Sequence, residues 1–237
     1  MEWALPLIAL VAVFATFVGF QAPVIAGGHD YVQRSADVTY AEFARAGFGQ
    51  LLVAASLTLA VIAAAARWAP DDPHKRALLG ALCILTLAIL ASAFVRLGLY
   101  MDAYGFTRLR LSAHAVILWL GGVCALLPLA GAARRAAWLP RATVALSAAA
   151  LLAFAASNPD RRIADRNLER SERTGLELDE DALVGLSADA VPAFRAHRAG
   201  CLSQEVRADL AEPDGLAGFN LARRRARALL PDPPCRY

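Results

Sequence analysis

Residues 91–120 read ASAFVRLGLYMDAYGFTRLRLSAHAVILWL. In this stretch one long apolar segment ends, the chain turns through a short polar motif, and a second apolar segment begins. Apolar runs of about 18 residues or more are the signature of transmembrane helices. The same pattern recurs on both sides of the motif, so the chain reads as an all-α, polytopic integral membrane protein of about five transmembrane helices followed by a polar, mainly helical C-terminal tail. The expected spans are residues 3–26, 48–67, 77–97, 111–132 and 142–157, and the tail covers 158–237.

Composition supports this division. Of the 237 residues, 58% are apolar, yet 19% are charged, and nearly all the charges fall between the apolar runs or after Ser157. A net charge of +3, with no basic patch interleaved with aromatics, sets nucleic acid aside as a partner.

The first run, WALPLIALVAVFATFVGFQAPVIA, lacks the basic n-region and short core of a signal peptide and reads as a retained helix. Pro23 and Gly27-Gly28 are expected to stop or bend it. Residues 28–50 read as a short interfacial helix capped by Asp37 or Thr39, with Tyr40, Phe43 and Phe48 on related faces. Basic residues outside the spans favour one face as cytoplasmic. Arg67, Lys75, Arg76, Arg134, Arg135 and Arg141 lie there, against Arg34, Arg45, Arg108 and Arg110 on the other. This places the N-terminus inside and the tail outside.

The tail opens with the mixed-charge run DRRIADRNLERSER. Helices are expected around 179–186, from Ser187 with Pro192 in its first turns, and over 220–230. The last, NLARRRARALL, is read as a solvated helix packed on the tail rather than one lying on lipid headgroups. Among the four cysteines, Cys83 and Cys124 lie in apolar runs as small hydrophobes. Cys201 and Cys235 lie in the tail, where a disulfide is favoured over free thiols and over a metal site.

Candidate functional residues concentrate in the motif. Arg96 is a charge within apolar sequence; it either snorkels to the interface or faces a partner, with Asp102 and Glu42 as the available carboxylates. Tyr100 and Tyr104 suit a headgroup belt, Gly105 a tight turn, and Thr107 the cap of the next helix. Arg108 and Arg110 are placed to meet phosphates or carboxylates. His114, one turn into the next helix, reads as a hydrogen-bonded interfacial residue rather than a proton carrier. No catalytic motif is present: GxSxG, HExxH, the P-loop and GxGxxG are all missing. Neither a catalytic residue, a cofactor nor a metal site is assigned.

Four ordered motifs, TYAEFARAGFGQLL, RLGLYMDAYGFTRLRL, NPDRRIADRNLER and LSADAVPAF, together resemble the C-terminal half of a bacterial family of multi-pass membrane proteins, domain of unknown function 4153 or 4173. Members of that family are longer, with further membrane helices before the equivalent of Trp3, so the chain reads as a shortened relative or one that starts late. The resemblance covers about residues 21–194 and implies a cell-membrane protein without supplying an activity or a catalytic residue. The expected role is a non-enzymatic envelope component binding membrane lipid headgroups or a protein partner. The alternative is a transporter subunit or membrane enzyme holding an anionic or lipid-linked substrate with Arg96, Arg108 and Arg110.

Overall fold

The computed structural model describes residues 4–35, 40–68, 72–132, 137–175, 183, 185–197, 210 and 221–229. It is all-α, 92% helical and without strands among the described residues. The elements in chain order are α1 (Ala4–Ser35), α2 (Tyr40–Trp68), α3 (Pro73–Tyr104), α4 (Arg108–Ala132), α5 (Leu139–Ala156), α6 (Pro159–Thr174), a 3₁₀ turn (Ala188–Ala190), α7 (Val191–Ala196) and α8 (Leu221–Leu229). Helix is the expected state of such apolar sequence, because in hydrocarbon every backbone N–H and C=O must find its partner within the segment.

Among the described residues, three helices are long and apolar enough to cross a membrane: α3, α4 over Arg108–Gly131, and α5. The apolar stretches Ala4–Phe20 and Val53–Ala66 of α1 and α2 are shorter. The stop expected at Pro23 and Gly27-Gly28 does not occur, since α1 is continuous to Ser35. Proline and glycine weaken a helix, but they offer neighbouring backbone groups no alternative partners in an apolar setting. Among the described residues there is likewise no separate interfacial helix. Residues 28–35 extend α1, and residues 40–50 open α2. Asp37 and Thr39 lie outside the described residues, as do Cys201, Cys235 and most of 179–186; Glu42 is described in its backbone alone.

The chain forms two compact units, one of Met1–Tyr100 with Ala113–Leu151, the other of Met101–Ser112 with Leu152–Tyr237. In the first, α3 buries Leu82, Cys83, Thr86, Ile89, Leu90, Ala93 and Leu97, a spacing that follows one face of a helix. The α3–α4 contact is tight enough for Cys124 Sγ to donate to the Cys83 carbonyl at 3.4 Å. Thr86 donates its buried hydroxyl to Leu82 O at 2.7 Å, so that hydroxyl is satisfied within its own helix. Trp119 Nε1 donates to Ser147 Oγ at 2.9 Å, linking α4 to α5. At Gly122 a Cβ would sit 3.0 Å from Leu146 Cδ2, so the missing side chain is what lets the helices approach. No described residue of α5 is buried; Val144 and Leu151 are 70% and 71% exposed, an apolar outer surface of the kind lipid would cover.

In the second unit, α6 carries Ile163, Ala164 and Leu168 into a core with Leu186, Val191, Ala193, Phe194, Leu210 and Ala226. Phe106 and Leu111, from the α3–α4 turn and the start of α4, pack against that core. The turn therefore folds together with the tail.

The sequence reading assigned no helix to residues 159–174. Its start is marked nonetheless: Pro159 occupies the first turn, where a missing N–H costs nothing, and Asp160 meets the positive end of the helix dipole. Gly175, at φ 67°, ends it by donating its N–H to Ser171 O. The helix expected from Ser187 is present as the 3₁₀ turn and α7, and the last expected helix as α8. Ser187 makes no side-chain cap. Helix α8 is held to its own unit, with Ala226 buried and Arg227 Nε donating to Leu210 O at 2.8 Å.

Candidate functional site

The second unit is built where the α3–α4 turn meets α6. Helix α3 leaves its last carbonyls without intrahelical donors, as any helix does. Two arginines supply them. Arg170 Nη1 donates to Ala103 O at 2.8 Å, and Arg110 Nη1 donates to Tyr104 O at 3.0 Å and Gly105 O at 2.7 Å. Guanidinium charge at a helix C-terminus also meets the negative end of its dipole.

Gly105, buried and at φ 82°, reverses the chain in a region that side chains rarely enter. A Cβ here would lie 2.9 Å from Asn167 Oδ1. The next residue shows why the approach is so close. Phe106 N–H donates to Asn167 Oδ1 at 2.7 Å, and Asn167 Nδ2 donates back to Phe106 O at 2.8 Å. A carboxamide thus stands in for a second backbone strand, satisfying both polar groups of one turn residue. Thr107 then caps α4, its Oγ1 accepting Arg110 N–H at 3.4 Å.

Arg108, the first residue of α4, reaches Asp160 with Nε on Oδ1 at 2.8 Å and Nη2 on Oδ2 at 2.6 Å. Ser187 N–H donates to the same Oδ2 at 2.9 Å. One carboxylate therefore joins three of the four motifs. The Arg108 guanidinium and the Ser187 hydrogen bonds hold the Asp160 carboxyl down to about 2, against the opposing effect of its burial. On α6's outer side, His197 Nδ1 lies 3.0 Å from Glu172 Oε1, and its Nε2 lies 3.8 Å from Asp165 Oδ1.

Among the described residues, two cavities stand out in this unit. One of 60 Å³ is lined by Asp102, Phe106, Arg166, Glu169, Arg170 and Arg173. A shallower one of 380 Å³ includes Asn158, Arg161, Asp189, Pro192, Arg225 and Leu229 in its lining.

Of the residues singled out in the sequence, Asp102, Tyr104, Gly105, Arg108 and Arg110 lie in this unit, with Asp102 and Tyr104 exposed. Arg108 meets a carboxylate, whereas Arg110 serves backbone carbonyls instead, because the end of α3 lies within its reach. Arg96, Tyr100 and His114 belong to the other unit, each half-buried. His114 Nε2 is 3.1 Å from Phe94 O, and its ring stands edge-on to Phe94 with centroids 4.4 Å apart. The partners Asp160, Asn167 and Arg170 were missed. Their signal was the helix start at Asn158-Pro159-Asp160 together with apolar residues at 163, 164 and 168. Among the described residues, no group of three or more His, Cys, Asp or Glu side chains is placed to hold a metal ion.

Compared with known proteins, residues 1–197 match the model of one family, described as Domain of unknown function (DUF4153). No curated protein and no solved structure matches the chain.

Proposed function

The chain belongs to the DUF4153 family, and from that premise we propose that it is a multi-pass protein of the bacterial cell membrane with no catalysis of its own, whose second unit docks a protein partner or lipid headgroups. Helices α1 and α2 count with α3, α4 and α5 as spans, five in all. The basic-residue balance puts the N-terminus in the cytoplasm and the second unit outside.

The observation that carries this reading is the use made of the arginines. Arg108 is committed to Asp160 and Arg110 to the end of α3. Two of the three arginines that in the alternative reading would grip an anionic substrate are instead fasteners of the fold, which weighs against transport or chemistry at that spot. What remains for function is the outer surface of a rigidly held helical unit. The test is purification from its native membrane in mild detergent. A partner that stays bound through successive columns supports a docking role, and repeated recovery of the protein alone contradicts a protein-docking role. Release of the protein by alkaline carbonate would contradict membrane integration itself.

A further inference from the structure

We infer that the 60 Å³ cavity between the α3–α4 turn and α6 is a binding site for a phosphate oxyanion, with a phospholipid headgroup as the favoured source. This deepens the reading above and rests on it for the lipid, though the anion chemistry stands on the cavity itself. Arg166, Arg170 and Arg173 line the cavity and recur at i, i+4 and i+7, so they share one face of α6. Arg166 and Arg173 are exposed at its rim. Arg170 is anchored through Nη1 to Ala103 O, and its Nε is buried with no acceptor among the described residues. A buried N–H left unpaired is unfavourable, and an oxyanion oxygen would satisfy it while meeting the two neighbouring guanidiniums.

Two carboxylates, Asp102 and Glu169, also line the cavity, and Glu169 is 3.4 Å from Arg166. Three guanidiniums against two carboxylates leave a single positive charge. This balance suits the monoanion of a phosphodiester better than a more highly charged group. The cavity admits a small oxyanion and little else. Helix α6 begins at Pro159, directly after α5 ends at Ala156, so a bilayer-spanning α5 brings the start of α6 to the headgroup layer, where phosphodiesters are abundant. Guanidinium groups at such a surface are the usual means of holding them.

The test uses the full-length protein in detergent, followed by native mass spectrometry with added phosphatidylglycerol or phosphatidylcholine and, separately, by thermal unfolding with inorganic phosphate. The variant Arg166→Gln/Arg173→Gln removes two exposed side chains that hold no core contact. The control Arg162→Gln/Arg224→Gln removes the same charge outside the cavity. The expected result is preferential retention of phosphatidylglycerol, reduced about tenfold or more in the first variant and little changed in the control. Stabilisation by inorganic phosphate that only the first variant loses, without a lipid preference, also supports the oxyanion site and makes free phosphate its source. Equal loss in both variants would reduce the effect to surface charge and overturn the site, as would ligand binding that the first variant leaves intact or no binding of either probe.

Discussion

Arg108 at the start of α4 and Asp160 in the first turn of α6 are joined by two parallel hydrogen bonds of 2.8 and 2.6 Å across 52 residues of sequence. The carboxylate is largely buried while the guanidinium is half exposed. Asp160 is therefore the costlier partner to leave alone. Arg108→Ala, which strands that carboxylate with only Ser187 N–H beside it, should destabilise the second unit by about 2–4 kcal/mol, and Asp160→Asn by about 1–2 kcal/mol, because the half-exposed guanidinium is rehydrated and the carboxamide oxygen still accepts from it. Arg108→Lys keeps the charge and loses the fork, for about 1 kcal/mol. Protease resistance of the tail in detergent reports these differences, and a double-mutant cycle isolates the pair.

Acid should loosen the same joint. The Asp160 carboxyl sits at about 2 in the folded chain, below its ordinary value of 3.8. A lowered folded value contributes stability that is fully present above the unfolded value and is lost as pH falls through the folded one. The loss belongs to the window from about pH 4 to pH 2 and amounts to about 1–2 kcal/mol, discounted for the exposure of Arg108. Asp160→Asn should flatten that part of the stability–pH curve. An unchanged acid limb in the variant would remove Asp160 as its source.

Gly105→Ala should cost about 2–3 kcal/mol. Part is the left-handed backbone at φ 82°, and part is displacement of Asn167, whose Oδ1 would lie 2.9 Å from the new Cβ. Asn167→Asp tests the other half of that pairing. It keeps the acceptor for Phe106 N–H but sets a carboxylate oxygen against Phe106 O, so it should be more damaging than Asn167→Ala. Unfolding followed by the protection of peptides from residues 101–112 distinguishes the two.

The α4–α5 contact makes a graded prediction. Gly122→Ala needs Leu146 to give by only a few tenths of an ångström at a flexible methyl and should change stability by less than about 1 kcal/mol, whereas Gly122→Ile should destabilise by about 1–3 kcal/mol. Thermal unfolding in detergent provides the comparison. If both variants behave alike, the two helices do not approach at Gly122.

The helices were legible because length and apolarity suffice to indicate a membrane segment, and Thr107 and Gly105 were legible as cap and turn from residue type alone. Helix α6 was not read from its charge-rich sequence, since only Ile163, Ala164 and Leu168 reveal its inner face. The roles of Arg108 and Arg110 depended on partners 52 residues away and at the end of the preceding helix, and no local pattern distinguishes a carboxylate from a carbonyl as the acceptor. Pro23 and Gly27-Gly28 do not stop α1, for a different reason. Their usual effect as breakers assumes water ready to take the freed backbone groups.

Labelling of cysteines in intact cells by a membrane-impermeant maleimide tests membrane embedding and sidedness together. Cys83 and Cys124 are buried at the α3–α4 contact, while Cys201 and Cys235 belong to the tail. A multi-pass protein with its second unit outside predicts reaction at Cys201 and Cys235, after an impermeant reductant if they are joined, and none at Cys83 or Cys124. Labelling of the tail cysteines only after the membrane is opened would contradict that orientation, and ready labelling of all four in the intact protein would contradict an embedded α3–α4 pair.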